Sequence, residues 1–404
     1  MKKIHALYLS CLVMIAASAV LLSCDDEAEA PVITNVRLTN PATRDVSLTQ
    51  APLGAVLVIQ GRNLGGVTKL YLNDYDVKLL PSYVSNSSIV VTIVDQVPTI
   101  ATNPNVSNTM RVVTKDGQSF SYNFETLPPP AIIESVSNEM AKAGETITLT
   151  GKYFYFVQAV AFPGNVLGTN ITTAPDGTWL KVTVPAGVSA SGGHIFVASN
   201  SGLSSQTVRS QFGNKTGMFM NFDDLNPFGW GIQGSNITTS TPGGIIKPID
   251  NKFGLISTML NKNFGWSNDK VIDITYWGKK MFPEGAGYEP ATAISDMDLR
   301  LEVAVEKPTN NLDGVQLLVW INLDAEYSYA YPLGQAVKSL DGNWYTVSVP
   351  LSNLATSGGK KLANYGDILK QGTHEIRLVI NNATATDIDG TITVDNVRIV
   401  NRTR

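Results

Sequence analysis

The chain contains the same pair of strand signatures twice. An apolar opening at residues 31–36 returns at residues 130–136. Each copy is followed by an alternating strand between two glycines seven positions apart, within residues 54–64 and 144–154. Glycines that bound a strand mark turns whose backbone angles other residues avoid. Repetition at this spacing indicates tandem domains, and the alternation predicts that each is a small β-sandwich.

The second half of the chain has a different composition but again indicates strands. Five of the six tryptophans lie beyond residue 217. Alternating segments at residues 297–305, 315–322 and 391–399 predict strands, and no stretch has a long helical period. Consecutive prolines at residues 128–130 separate the two repeats and favour an extended spacer. The sequence therefore predicts an all-β protein with two small sandwiches and a third of about 190 residues.

Composition excludes several classes of function. Only 16% of the 404 residues are charged and the net charge is −4, which lacks the basic surface of a nucleic-acid binder. Two cysteines and three histidines are too few for a disulfide framework or a zinc ribbon. We therefore expect no nucleic-acid partner and no thiol chemistry.

The N-terminus indicates export. An apolar run at residues 6–22 follows Lys2 and Lys3, and it is too short and too early for a membrane span. It ends at Cys24 in a sequence that resembles the lipobox of bacterial lipoproteins, which implies cleavage and acylation at this cysteine. An ordinary secretory signal is the alternative. The acidic residues 25–29 resemble the surface-export signal of Bacteroidetes lipoproteins, with a plain solvated tether as the alternative.

Larger segments also resemble known families. The repeats resemble immunoglobulin-like IPT/TIG domains through their P-x-I-x-x-V opening and their paired glycines. The last region resembles jelly-roll carbohydrate-binding modules in its start at residues 219–224, its Gly-Asn-Trp turn at residues 342–344 and its closing strand at residues 394–399. In the order of its parts, the chain resembles a surface glycan-binding lipoprotein of Bacteroidetes, of the SGBP-B type that is not SusD-like.

The resemblance implies a layout and a function. The implied parts are a signal peptide at 1–23, an acidic tether at 24–30, IPT/TIG domains at 31–127 and 128–213, and a carbohydrate-binding sandwich of the xyloglucan-binding type at 214–404. It implies non-catalytic capture of a neutral plant-type glycan, such as xyloglucan or another β-glucan. The implied partners are the outer-membrane lipid and a neighbouring TonB-dependent transporter with its SusD-like subunit.

Strand parity gives a first set of candidate site residues. Alternate residues of a strand face opposite sides, so those opposite the apolar positions face outward. The outward set is Arg300, Glu302, Gln316, Trp320, Arg377 and Asn381. If these strands are neighbours, one open face carries an indole and polar groups, which suits the apolar face and hydroxyl rim of a sugar ring. A second sheet packed over Trp320 is the alternative.

Further aromatic residues are candidate sugar platforms. They are Trp230, Trp266, Trp277, Tyr288, Tyr327 and Tyr329. The first two lie in glycine-flanked loops, where exposure is favoured, and the next two flank a long loop. The last two share one side of a segment, which forms either a glycan track or part of the core. Trp344 follows a Gly-Asn turn and is predicted to be core.

Asp223, Asp224 and Asp395 are candidate metal ligands. The modules that this region resembles often bind a structural calcium between their first and last strands, and calcium takes carboxylate and carbonyl oxygens. Turn-capping aspartates are the alternative. No other cofactor is expected.

The sequence favours a binder over an enzyme. Glycoside hydrolysis needs two positioned carboxylates, and no acidic residue here falls in a recognisable catalytic motif. The sequence contains no G-x-S-x-G, P-loop or H-E-x-x-H motif. An adhesin or stalk that binds a protein is a further alternative, and a glycoside hydrolase is the least favoured.

Overall fold

The structure is a computed structural model that describes residues 29–226, 236–277, 280–308, 310–322, 326–369 and 373–403; for residues 275–277 and 373 it describes the backbone alone. The regular elements of these ranges are β-strands and 3-10 helices of three or four residues. The all-β prediction is therefore confirmed. None of the described helices is long and apolar enough to cross a membrane. Cys24 and the signal segment lie outside the described ranges.

The chain divides into two compact units, residues 1–129 and 130–404. The first unit is a sandwich of a three-stranded sheet, in the order β1-β3-β6, and a four-stranded sheet, in the order β5-β4-β7-β8, with β2 and β9 paired in parallel. Its strands are β1 (Val32–Leu38), β2 (Gln50–Pro52), β3 (Val56–Arg62), β4 (Val67–Leu72), β5 (Tyr75–Val77), β6 (Ser88–Thr92), β7 (Thr109–Thr114), β8 (Ser119–Asn123) and β9 (Glu125–Leu127). Its 3-10 helices are Pro41–Thr43, Leu64–Gly66 and Pro81–Tyr83.

The second unit begins with an immunoglobulin-like sandwich of the same kind. Its sheets have the orders β10-β11-β15-β14 and β13-β12-β17-β18, and β16 pairs with β19. The strands are β10 (Ile132–Val136), β11 (Thr146–Lys152), β12 (Val157–Phe162), β13 (Val166–Leu167), β14 (Thr169–Thr173), β15 (Trp179–Thr183), β16 (Gly193–His194), β17 (Phe196–Ser199), β18 (Gly202–Leu203) and β19 (Gln211–Phe212). One 3-10 helix spans Val208–Ser210.

The second glycine of each repeated element has the same structural role in both sandwiches. A Cβ on Gly61 would lie 1.9 Å from the carbonyl oxygen of Val32, and a Cβ on Gly151 would lie 1.9 Å from that of Ile132. Each contact occurs at a β-bulge, between Ile33 and Asn35 in one copy and between Ile133 and Ser135 in the other. A bulge brings the paired backbones too close for a side chain, which explains why the repeat keeps glycine there.

The C-terminal domain is a larger two-sheet sandwich. One sheet has the order β21-β22-β29-β24-β27 with β20 added beside β29, and the other has the order β23-β28-β25-β26. The strands are β20 (Met218–Met220), β21 (Ile237–Thr238), β22 (Phe253–Leu260), β23 (Val271–Trp277), β24 (Met297–Lys307), β25 (Val315–Ile321), β26 (Tyr327–Pro332), β27 (Tyr345–Pro350), β28 (Thr373–Asn382) and β29 (Ile388–Asn401). The described 3-10 helices are Asn268–Lys270, Ile294–Asp296, Leu333–Gln335, Leu351–Asn353 and Tyr365–Ile368.

The core of this domain lies between its two sheets. Alternate residues of β24, such as Leu299 and Leu301, are fully buried against alternate residues of β25 and β28, such as Val319 and Leu378. The four-stranded sheet therefore turns one face to this core and the other face outward.

The six-stranded sheet is covered on its outer side by the immunoglobulin-like sandwich of the same unit. Met140 of that sandwich belongs to a small apolar cluster with Ile246, Phe253 and Trp344 of the C-terminal domain. The backbone N–H of Thr346 donates to the carbonyl oxygen of Ser137 at 2.8 Å. The outer face of the six-stranded sheet is thus buried around Phe253 and Trp344, although Met259 at the end of β22 is 50% exposed. The outer face of the four-stranded sheet lies away from this contact.

Candidate functional site

The outer face of the four-stranded sheet carries one row of side chains across all four strands. Trp320 on β25 pairs with Arg377 on β28 and with Ser328 on β26, and Arg377 pairs with Asp273 on β23. Residues paired directly across antiparallel strands project to the same face. Asp273 is buried, Arg377 and Trp320 are partly exposed, and Ser328 is exposed. The row therefore runs from a buried carboxylate to solvent, with the indole beside the guanidinium.

A loop between β22 and β23 brings two more aromatic rings onto this face. The backbone N–H groups of Asn263 and Phe264 donate to the carbonyl oxygens of Thr384, at 3.0 Å, and Asn382, at 3.1 Å. Phe264 has a φ of 56°, a left-handed conformation that is costly for a phenylalanine. A Cβ on Gly265 would lie 2.8 Å from the Cβ of Asn261, so the turn requires a glycine.

The turn places Trp266 parallel to Trp320. Their ring centroids are 5.4 Å apart and their planes differ by 3°. Phe264 meets both indoles edge-on, with centroids 6.3 Å from Trp266 and 6.4 Å from Trp320. Trp266 is 45% exposed and Phe264 is 38% exposed. We call these three residues the aromatic platform. A loop, and not a second sheet, lies over Trp320.

Ion pairs fix the guanidinium beside the platform. Arg377 Nε lies 2.9 Å from Asp273 Oδ2, and Arg377 Nη2 lies 2.5 Å from Glu375 Oε1. Both carboxylates are almost completely buried, and the arginine side chain is 16% exposed. A guanidinium held at a fixed position presents its remaining N–H donors in a defined direction.

An amide pair lies further along the same face. Gln316 pairs with Asn381 in register, and Asn381 Nδ2 donates to Gln316 Oε1 at 2.8 Å. Trp320 lies four positions after Gln316 on β25, a span of about 13 Å at the rise of a β-strand. Leu318 lies between them on the same face and is partly exposed. The face therefore combines an aromatic end, an apolar middle and a polar end.

The prediction that Arg300 and Glu302 share this face is wrong. Both lie on β24, whose neighbours are β27 and β29 in the other sheet. Parity correctly turns them away from the core, but the immunoglobulin-like sandwich covers them. Arg300 Nη1 lies 2.7 Å from Glu139 Oε1, and Arg398 Nη1 lies 2.8 Å from Glu302 Oε2. They are structural ion-pair residues, buried to 3% and 0% exposure.

The predicted tyrosine track is also wrong. Tyr327 pairs with Ile321 and Tyr329 with Val319, and both partners face the core. Tyr327 is buried and Tyr329 packs against the same core. Tyr288 is likewise not a platform, because it is 7% exposed and its hydroxyl donates to the carbonyl oxygen of Ile399 at 2.9 Å. Burial raises the pKa of the Tyr288 hydroxyl.

The remaining tryptophans divide into described and undescribed positions. Trp230 and the side chain of Trp277 lie outside the described part of the chain. Trp344 is buried, as predicted: its Nε1 donates to the carbonyl oxygen of Lys247 at 2.7 Å, and its ring meets Phe253 edge-on at 5.7 Å.

The candidate metal ligands do not form one group. Asp224 is exposed and accepts a hydrogen bond from Asn221 Nδ2 at 2.6 Å, which lowers the pKa of its carboxyl group. Asp395 is 1% exposed, and its Oδ2 has no hydrogen-bond partner in the structure. Burial, together with the charges of Glu302, Asp223 and Asp250, raises the pKa of Asp395 to about 8. Among the described residues, no three His, Cys, Asp or Glu side chains are placed to hold a metal ion.

Comparison with known proteins identifies the C-terminal domain. Residues 212–401 match the family model of the surface glycan-binding protein B xyloglucan-binding domain. The C-terminal domain belongs to this family. We refer to it below as the SGBP-B domain, and the resemblance that the sequence indicated is confirmed.

Other known proteins are similar to part or all of this chain. An IPT/TIG domain-containing protein of Bacteroides ovatus is 35% identical over 142 residues, which are 34% of this chain and 29% of that protein. This chain thus spans less than a third of that relative. The crystal structure of surface glycan-binding protein PbSGBP-B from Prevotella bryantii has a TM-score of 0.58 at 18% identity, covering 93% of this chain and 99% of the other.

A second solved structure has the same architecture. SGBP-B from a complex xyloglucan utilization locus in Bacteroides uniformis has a TM-score of 0.52 at 18% identity, covering 92% of this chain and all of the other, 100%. At such identity the likeness concerns the fold.

The sequence predicts Trp266 and Trp320 as site residues, but it does not point to Phe264 or Asp273. The Phe-Gly-Trp turn was visible in the sequence, whereas nothing local marks Asp273 as the partner of Arg377.

Proposed function

We propose that the SGBP-B domain binds a neutral β-glucan or hemicellulose on the aromatic platform, and that the protein captures polysaccharide without cleaving it. The observation that carries the proposal is the exposed Trp266, stacked parallel to Trp320 beside the fixed Arg377 guanidinium. The family to which the domain belongs is named for xyloglucan binding, and a cell-surface location follows from the same family.

The platform suits a sugar because of its shape. A pyranose ring offers a flat face of C–H groups that packs on an aromatic ring, and its hydroxyls project around the edge. Trp266 supplies exposed aromatic surface, and Trp320 and Phe264 support it from behind and from the side. The rings are held by contacts with one another and by the anchored turn, so binding orders few side chains.

The polar groups suit hydroxyls better than charges. The Arg377 guanidinium is already neutralised by Asp273 and Glu375, so it serves as a directed donor and not as a free positive charge. Gln316 and Asn381 are uncharged amides. A neutral glycan therefore fits this face better than a polyanion does.

The same arrangement favours binding over hydrolysis. A glycosidase needs one carboxyl group to donate a proton and a second to act as base or nucleophile. The two carboxylates described on this face, Asp273 and Glu375, are buried and paired with Arg377. Their burial and ion pairing make them poor candidates for the two catalytic carboxyl groups, which supports a binding role.

Three finer features of the function are proposals from the sequence. Acylation of Cys24 would anchor the protein in the outer membrane, and the acidic residues after it would direct it to the cell surface. The captured glycan would pass to a neighbouring TonB-dependent transporter with its SusD-like subunit. Detergent-phase partitioning of the native protein, compared with Cys24→Ala, tests the anchor.

The main test is a gel-retardation and titration panel with xyloglucan and mixed-linkage glucan, run beside a control gel that contains no polysaccharide. We expect Trp266→Ala to weaken binding at least about tenfold, equivalent to about 1.4 kcal/mol, because the sugar loses its stacking surface. Phe156→Ala is the matched control, since Phe156 is 38% exposed, close to the 45% of Trp266, but lies on the immunoglobulin-like sandwich. It should leave binding unchanged.

Three results would contradict the proposal. Release of new reducing ends by the native protein would indicate a hydrolase. Equal retardation of the native protein, Trp266→Ala and Trp320→Ala would exclude the platform as the site. Absence of retardation on every glycan would favour the protein-binding alternative.

A further inference from the structure

The first unit carries a groove that the platform does not explain. It is a cavity of about 530 Å³ between β5 and β6, which are edge strands of the two different sheets. Its lining includes Val56, Tyr75, Asp76, Lys78, Tyr83 and Gln96. The volume lies within the range of roughly 300–1,000 Å³ that is typical of small-molecule sites.

Exposed apolar side chains gather at this groove. Leu80 is 61% exposed, Tyr83 is 54% exposed and Val56 is 38% exposed. Leu80 and Tyr83 lie at the turn that contains the 3-10 helix Pro81–Tyr83, and this turn is fixed by a β-bridge between Val84 and Ile89. Exposed apolar surface in a concave site usually marks a binding surface.

Polar groups lie among the apolar ones. Asp76, Lys78, Thr92 and Gln96 line the same groove and are exposed. They supply a carboxylate, an ammonium group, a hydroxyl and an amide beside two tyrosine rings. Aromatic faces with mixed hydrogen-bonding groups at the edge match a sugar, which has an apolar ring face and a rim of hydroxyls.

An extended peptide fits the groove less well. Strand addition needs a run of free backbone groups along an edge. β5 has three residues, and the outer edge of β6 is already bridged at Ile89 by Val84. The available edges are therefore short, and side-chain chemistry dominates the groove.

We propose that this groove is a second carbohydrate site, which takes a short neutral oligosaccharide segment with one pyranose ring on Tyr83. This proposal depends on the proposed function only for the assumption that the ligand is a neutral glycan. Two sites on one chain allow a long polysaccharide to be held more tightly than either site alone would hold it.

The test uses the full chain with the platform disabled by Phe264→Ala and Trp266→Ala, both exposed positions. Saturation-transfer NMR with cellohexaose and with xyloglucan oligosaccharides reports residual binding. We expect transfer to persist in this background and to fall at least threefold when Tyr83→Ala is added. Adding Phe156→Ala to the same background is the control and should leave it unchanged.

The outcomes separate this proposal from the proposed function. No transfer in the platform-disabled background, or transfer that Tyr83→Ala leaves unchanged, would overturn the second site. If the platform-disabled protein shows no transfer and Trp266→Ala alone abolishes binding, the second site is excluded but the proposed function still stands. Binding that Tyr83→Ala weakens while Trp266→Ala does not would support the groove and overturn the platform.

Discussion

The Glu139 carboxylate of the second immunoglobulin-like sandwich accepts a hydrogen bond from the Arg398 guanidinium of the SGBP-B domain at 2.9 Å. The side chains are 7% and 0% exposed. Burial alone would lower the pKa of Arg398, but the Glu302 and Glu139 carboxylates outweigh it and raise that pKa, so the arginine stays charged. The contact joins two sandwiches within one compact unit.

We predict that Glu139→Gln destabilises this unit. Arg398 keeps its pair with Glu302, so the substitution removes one of two carboxylates from a buried guanidinium, at a cost of about 1.5–3 kcal/mol. Glu139 also pairs with Arg300, so the change affects two arginines. Urea unfolding followed by tryptophan fluorescence measures the loss. Glu134→Gln, which removes an exposed pair with Lys152 on the same sandwich, is the control. An unchanged urea midpoint for Glu139→Gln would show that the contact between Glu139 and Arg398 adds no stability.

A second prediction separates affinity from stability at Arg377. Arg377→Met leaves the buried Asp273 and Glu375 without this guanidinium, so we expect a loss of several kcal/mol in the free energy of unfolding together with weaker glycan binding. Arg377→Lys keeps the charge but not the planar array of donors. It should restore much of the stability and little of the affinity. Full recovery of binding in Arg377→Lys would contradict a directed donor at this position.

A third prediction concerns acid stability through His374. Its Nδ1 accepts hydrogen bonds from the backbone N–H groups of Met281, at 3.0 Å, and Phe282, at 3.1 Å, so the ring is bound in its neutral form. Burial lowers the pKa of His374 in the folded protein. As the pH falls through about 6.5, the unfolded chain takes up the proton first and stability decreases.

His374→Asn tests this pH dependence. The asparagine oxygen can accept the same backbone hydrogen bonds but does not titrate. We expect the native protein to lose more stability than the variant between pH 7.5 and pH 5, measured by urea unfolding at each pH. Parallel curves for the two proteins would exclude His374 as the cause.

A fourth prediction concerns calcium. Asp395 Oδ2 is buried without a hydrogen-bond partner among the described residues, and burial together with the charges of Glu302, Asp223 and Asp250 raises the pKa of this carboxyl group. A cation bound to Asp395 and Asp223, with carbonyl or water oxygens completing the site, would offset this repulsion. We expect excess calcium to raise the thermal midpoint relative to EDTA, and Asp395→Asn to abolish the rise. Asp224→Asn should leave the rise intact, and equal midpoints with and without calcium would exclude the site.

Much of the fold could be predicted from local pattern. The repeated glycines indicated tandem sandwiches, and the structure shows why the second glycine of each pair is required, since a Cβ there would collide with a carbonyl oxygen. The alternating segment at residues 315–322 corresponds to β25, and its parity correctly placed Trp320 on the outer face. These features depend on the backbone of a few consecutive residues, so the sequence carries them directly.

The sequence by itself determined the strands, their inward and outward faces, and the Phe-Gly-Trp turn that exposes Trp266. Only the tertiary structure decided which outward faces meet a ligand. Arg300 and Glu302 have the parity of site residues, yet Arg300 binds Glu139, which lies 161 residues earlier in the chain. Strand pairing and domain packing depend on such distant contacts, and a local alternation of polar and apolar residues carries no record of them.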